Sequence, residues 1–505
     1  MEIISLVRWE LRNILFDKKF MLSIIIGMFI SLVTIPLLMQ AVSYFKEGTL
    51  LSALPVSIKI IKIATVGEHP AINELEKDVM VDVVRTDEKN AFEMLGKKEV
   101  HGVFIVDSNS GKFYGRGVGL SNLAESSVRN AVDRILRKDV KPAFNLTPDL
   151  GLESLIKSLL APFLLLTPLF LWSLPIIQSI SYDRENKIIE ILFATPASRK
   201  EILLAKVIAN MLFAMLLGVV WINLVQLSGL NFSNPFGVYI IFLVIAFLII
   251  SMNALVSALS ASVNEATLAS SISSTIIVTL FFSVTTLKVF PATALLARLS
   301  PATYIAEQVG GGASSFPLNL ILMLLIVIAS ALLLAISAFS TEAFAFAVKP
   351  GIKQLYEGML ELLKSKTKAA FAMGFVAFSI TSPVQIIAIA LIFLISRMNI
   401  LLLLAVLVAI EEVFKALAIT IIKPRKTNEG VLYGSLVGLA FGLSESILLA
   451  PIVDIFILIR IVPMVVHALS TGLFGIGYTN KNALASLLLA ILLHLAYNLY
   501  LVGYL

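Results

Sequence analysis

VIANMLFAMLLGVVWINLVQLSGLNFSNPFGVYIIFLVIAFLIISMNALVSALSASVN, residues 207–264, contains no Asp, Glu, Lys or Arg. A membrane-spanning helix needs about 20 apolar residues. The run is therefore long enough for two spans, with a turn near 231–235 where Asn and Pro cluster. Working outward, similar runs occupy 20–45, 158–182, 266–287, 308–341 (its span beginning near Pro317) and 369–396. Four more follow near 399–422, 430–450, 452–477 and 482–503. The expected fold is an all-α polytopic membrane protein of about eleven transmembrane helices. Composition agrees: 58% of residues are hydrophobic and 14% charged, whereas soluble chains average about 25% charged.

The net charge of +6 does not point to nucleic acid, because the basic residues flank the apolar runs, where they set orientation and meet anionic lipid. Zero cysteines exclude disulfides, thiol catalysis and Cys-ligated metal. No small-residue cleavage site follows the first apolar run, so no cleavable signal is expected. Arg8, Arg12, Lys18 and Lys19 precede the first span and predict a cytoplasmic N-terminus in the cell membrane. Counting forward, the 183–206 loop, the 342–368 segment and the 423–426 loop fall on the cytoplasmic side, and the C-terminus outside. Residues 46–157 form the one sizeable polar region and lie outside the cytoplasm. Alternating strand and helix patterns there predict a small α/β domain inserted after the first helix. Its His69 and His101 show no metal-site spacing.

Charge is treated differently in the two halves. No Asp, Glu, Lys or Arg interrupts the first six runs, whereas the later ones carry Glu411, Glu412, Lys415, Glu445, Arg460, His467 and His494. An ionised group at the bilayer centre costs roughly 2.5–3.5 kcal/mol even on insertion scales, so such residues face a bundle interior and point to function. The amphipathic stretch 342–368 marks the boundary, giving domains at 1–350 and 370–505.

Within 183–206, Ile188, Ile191 and Leu192 share a helical face while Arg184, Lys187 and Glu190 point elsewhere. Thr195-Pro196 ends this helix, and Ser198 caps the next with Glu201 completing a capping box. The string ENKIIEILFATPASRKEILLAK, residues 185–206, resembles the loop between spans two and three of export-type ABC transporter permeases, particularly the NatB-like group. Six spans and a large domain after the first are similar to that family too. The resemblance covers about residues 1–350. It implies a coupling loop docking on an ATPase subunit through Glu185, Lys187, Glu190, Thr195, Pro196 and Arg199. It also implies a homodimeric permease core and efflux of sodium or another small substrate. The chain has no G-x-x-x-x-G-K-[ST] loop, so ATP would act only through a separate subunit.

The last 110 residues hold four recurring elements: Glu411-Glu412-x-x-Lys415, with Glu411 and Lys415 spaced to pair; Phe441-x-x-x-Glu445; Arg460 seven residues before His467; and His494-x-x-x-Asn498. Each comes from a different span, and an antiparallel bundle brings them together. A carboxylate takes a proton from water, an imidazole polarises a carbonyl or binds a metal, and Asn donates to an oxyanion. This set resembles the PrsW family of intramembrane proteases, related to the CAAX-prenyl endopeptidases, over roughly 370–505. The resemblance implies peptide-bond hydrolysis on a membrane protein or peptide substrate, with Glu411 as general base and Glu412, His467 and His494 as catalytic partners. Lys415, Glu445, Arg460 and Asn498 support them. It leaves two options for the metal: zinc on His467, His494 and Glu445, or a glutamate-dependent mechanism without one. Three readings follow: a permease fused to a protease, a permease with a structural C-terminal bundle, and a protease with a substrate-recruiting permease half.

Overall fold

The computed structural model describes residues 3–29, 61–77, 81–107, 110–115, 161–286, 297–309, 316–341, 351–396, 400–449 and 461–501, single positions apart, with isolated residues at 124–132 and 344. Helix occupies each expected span wherever it is described, and eight helices are long and apolar enough to cross a membrane. They are Arg199–Leu227, Pro235–Leu259, Val263–Thr285, Leu318–Ser340, Lys366–Ile389, Thr427–Leu448, Ile461–Thr479 and Ala483–Leu501. Ile400–Ile422 is as long, with three charges in its middle. The first expected span is described only as far as residue 29. Arg460 lies outside the described residues.

Local chemistry sets the breaks. In the 207–264 run, Asn234 accepts from the Gly237 amide at 2.9 Å and Pro235 takes the first helical position, where its missing N–H costs nothing. The second span is interrupted near Pro168 and widens into a π turn over Gln178–Tyr182. Ser198 and Glu201 form the expected capping box. The helix they start runs unbroken to Leu227, so the second half of the expected loop is the first part of the third span. The boundary stretch is ordered as well. Ile352–Leu363 packs Tyr356, Gly358 and Met359 against the Leu318–Ser340 helix, and the next helix already begins at Lys366.

The first half is knitted by aromatics. Trp221 Nε1 donates to the Leu165 carbonyl at 3.1 Å, and Trp172 meets Phe242 edge-on at 5.6 Å. The Leu318–Ser340 helix packs on Pro235–Leu259 and also on Lys366–Ser396 and Thr427–Leu449. It therefore belongs to the cores of both halves.

The polar insert forms a four-stranded sheet of β1 (Ile61–Val66), β2 (Val81–Arg85), β3 (Gly102–Asp107) and β4 (Ser110–Gly115) in the order β2-β1-β3-β4. β1 runs parallel to β2 and β3, so each crossover carries a helix, Pro70–Glu76 and Glu88–Gly96, and β4 returns antiparallel by hairpin. Beyond the sheet only isolated helical residues between 124 and 132 are described. The two histidines have structural partners. His69 Nδ1 caps the first helix by accepting from the Ala71 amide at 3.1 Å, and His101 Nδ1 accepts from the Lys62 amide at 2.9 Å.

Burial lowers the His101 pKa below its ordinary 6.5. The unfolded chain then binds the proton first, so stability is complete above pH 6.5 and declines as pH falls below it. The hydrogen-exchange rate at the Lys62 amide, measured as the ratio of wild type to His101→Asn, should rise as pH is lowered from 7 to 5. A flat ratio would remove His101 as the acid-sensitive group of this sheet.

Candidate functional site

Four helices carry the ionisable residues of the second half. Ile400–Ile422 supplies Glu411, Glu412 and Lys415, Thr427–Leu449 supplies Glu445, Ile461–Thr479 supplies His467, and Ala483–Leu501 supplies His494 and Asn498. Their convergence depends on a glycine stripe absent from the sequence reading. Gly430, Gly434, Gly438 and Gly442 recur every four residues on one helix face. A Cβ on Gly430 or Gly434 would run into the Gly475 or Thr471 carbonyl, and one on Gly438 into that of His467. Such small-residue repeats let membrane helices approach backbone to backbone. The approach delivers His467 to Glu445.

Lys415 is the hub. Its ammonium donates to Glu412 Oε1 at 2.5 Å and to His467 Nδ1 at 2.9 Å, and lies 4.9 Å above the Phe441 ring. An ammonium has no acceptor, so His467 Nδ1 accepts and its Nε2–H donates to Glu445 Oε2 at 2.5 Å. Glu412 Oε1 also takes His494 Nδ1–H at 2.8 Å and the Ser470 hydroxyl at 3.2 Å. That leaves the lone pair of His494 on Nε2. Gln385 Nε2 donates to Glu411 Oε1 at 2.7 Å, while the buried Glu411 Oε2 has no hydrogen-bond partner among the described residues. The site therefore presents two uncommitted acceptors, Glu411 Oε2 and His494 Nε2. Glu411, Glu445, His467, His494 and Asn498 all border one cavity of about 940 Å³.

Two expectations change. Lys415 pairs with Glu412 rather than Glu411. Neighbours on a helix point about 100° apart, and Glu412 faces the bundle axis while Glu411 faces the cavity. The expected zinc set changes too. The converging trio is Glu411, His467 and His494, whose ligand atoms lie within 4.8 Å of one another, and Glu445 serves as partner to His467. As hydrogen-bonded, this trio does not fit a zinc ion. Both nitrogens of His467 are committed, and the Lys415 ammonium stands where a metal would bind Nδ1.

In the first half, the coupling residues separate into two roles. Glu190 and Ile191 on the Ile188–Phe193 helix are exposed, Ile191 at 70%, as are Lys187 and Pro196. Ile189, not Ile191, is the buried residue of that helix, so the apolar face lies one position from the one expected. Arg199 turns inward. It donates to the Ser340 carbonyl at 2.5 Å and stacks on Phe193. Glu185 Oε1 accepts from the Val263 amide at 2.7 Å and Thr195 Oγ1 bonds the Leu192 carbonyl. Arg184, expected to point outward, is buried over Phe344 at 4.8 Å. A second buried hub was also missed. Lys206 bonds Glu10, Asp183 Oδ2 at 2.6 Å and Ser179 Oγ at 2.9 Å. Two signals pointed to it: Glu10 lies on the Leu6–Glu10–Ile14 buried stripe, and Lys206 lies two turns inside a capped helix.

The two parts define a polytopic membrane protein with a helical core, an exposed short helix at Ile188–Phe193 and a separate buried ionisable cluster. The chain belongs to the ABC-2 family of transporter proteins, whose family description matches residues 18–339. A permease of this family works with an ATPase subunit in trans. No curated protein and no solved structure matches the chain.

Gly438→Leu should separate the two helices that present Glu445 and His467. Overpacking costs about 1–3 kcal/mol, to be read as a lower unfolding temperature of the purified protein, with Leu436→Ala on the same helix as a milder comparison. An unchanged transition would show that the close crossing does not hold the site.

Proposed function

We propose that the chain is an ABC export permease subunit fused to a PrsW-like, glutamate- and histidine-dependent intramembrane peptidase. The observation that carries the peptidase reading is Glu411, a residue of the cavity wall beside His494 whose buried Oε2 has no hydrogen-bond donor among the described residues. A purely structural ion network has no use for a buried acceptor without a donor. In the proposed reaction, Glu411 takes a proton from water. The water oxygen adds to the scissile carbonyl carbon, and the C–N bond breaks as the departing nitrogen receives that proton. Asn498, on the same cavity wall, donates to the developing oxyanion. His467 and Lys415 keep Glu412 and Glu445 in place, so their part is positioning. The second reading, a permease with a structural bundle, is favoured by the mutual satisfaction of Glu412, Lys415 and His467.

For the first half, the reading is a homodimer that docks its ATPase on Lys187, Glu190, Ile191 and Pro196, with the N-terminus cytoplasmic and the C-terminus outside the plasma membrane. Efflux of sodium or another small substrate rests on the likeness of the 185–206 loop alone.

Glu411→Gln, which keeps shape and hydrogen bonding, should lower cleavage of a co-expressed membrane reporter by about 10²–10⁴-fold, the range of a lost general base, without altering membrane insertion. Cleavage that survives in both Glu411→Gln and His494→Ala returns the bundle to the structural reading.

Reversing the exposed docking surface with Glu190→Lys and Ile191→Asp should release a co-purifying ATPase, while Arg199→Lys, which keeps its inward charge, should retain it. Retention of the ATPase by the double variant would move the docking site elsewhere.

A further inference from the structure

The cavity beside Glu411 is not built by the C-terminal bundle alone. Pro235–Leu259 lends Met252, Val263–Thr286 lends Ile276, and Leu318–Ser340 lends Leu334, all from the permease half. Facing them are Ile386 and Leu407 from the bundle. The charged and imidazole groups on the wall form one connected patch of Glu411, Glu445, His467 and His494. Two bundle serines on the wall, Ser379 and Ser382, spend their hydroxyls on their own helix. The space is thus mostly apolar, with Ser273 and Ser330 on the permease side and one ionisable patch on the bundle side.

Size limits the occupant. A helix about 10 Å across rises 1.5 Å per residue, roughly 120 Å³ for each residue. The cavity of about 940 Å³ therefore takes about eight residues, well short of the about 20 that cross a bilayer. Chemistry limits it further. His494 borders the cavity and keeps its acceptor lone pair on Nε2, so the occupant must bring a donor to the patch. A peptide brings an N–H at nearly every residue, whereas a lipid acyl chain brings none.

We propose that this cavity is the substrate site of the bundle, that it takes a short apolar peptide segment of about eight residues and not a whole span, and that Met252, Ile276 and Leu334 of the permease half hold it. The inference rests on the peptidase reading for the identity of the reaction, but binding is tested without cleavage. The full chain is placed in lipid nanodiscs with the photo-crosslinker benzoylphenylalanine at Ile276, or as control at Leu216, which is apolar, similarly exposed and remote from the cavity (54% and 62%). The probe is a radiolabelled Leu/Ala octapeptide amide.

Labelling at Ile276 should exceed that at Leu216 at least tenfold in the wild type. Leu334→Trp and Met252→Trp, which fill the cavity from two different helices, should each lower it at least tenfold. A 20-residue Leu/Ala peptide should fail to compete. Equal labelling at the two positions, labelling of nanodisc lipid in place of the peptide, or labelling untouched in whichever tryptophan variant folds overturns the inference. Cleavage that persists in Glu411→Gln while the cavity still labels sinks the peptidase reading alone. Glu411-dependent cleavage with equal labelling at both positions sinks the cavity inference alone.

Discussion

A fully buried ammonium in an apolar bundle organises the second half of the molecule. Lys415 has no solvent to turn to, and leaving one member of such a pair uncompensated costs about 3–5 kcal/mol. Glu412 and His467 answer that charge. Once they do, their own protonation is set. Glu412 must be an acceptor, His467 must donate through Nε2 to Glu445, and His494 must turn its N–H toward Glu412. The chain of obligations ends at Glu411, which receives a donor on one oxygen only. The oxygen without a donor is thus what remains after the lysine has been satisfied.

The permease half solves a similar problem with a different result. Lys206 is held between Glu10 and Asp183, with Ser179 completing the shell. These partners come from the N-terminal helix, the end of the second span and the π turn before it. Here the lysine ties three separate segments together beside the docking loop. No unpartnered carboxylate oxygen is left over among the described residues of this cluster. One lysine thus leaves an acceptor beside a cavity, and the other makes a joint.

What the sequence made legible follows from the range of the forces involved. Spans, the Ser198–Glu201 capping box and the order of strands and helices in the insert are local, set by apolar runs and by bonds across three or four residues. The convergence of Glu412, Glu445, His467 and His494 was legible because charge in hydrocarbon has so few places to go. Partner choice was not. Spacing allows Lys415 either Glu411 or Glu412, and only the rotation of its helix against three others decides. The Lys206 hub was hidden because its partners Glu10 and Asp183 lie 196 and 23 residues away, on segments whose packing no local pattern reveals. The outward turn of Ile191 was hidden because a six-residue helix has too few turns to fix its face by pattern alone.

The Leu318–Ser340 helix links these parts mechanically. At one end the Ser340 carbonyl takes Arg199, which also stacks on Phe193 of the Ile188–Phe193 helix. At the other end Asn319 Nδ2 donates to the Leu448 carbonyl at 3.1 Å, on the helix that presents Glu445. Between them Leu334 forms part of the cavity wall. Twenty-three residues at 1.5 Å each make a rod of about 35 Å, and a hydrogen-bonded helix bends far more readily than it stretches. A shift of the Ile188–Phe193 helix therefore moves an element that the ionisable bundle is packed against, and the two halves are coupled while both end contacts hold.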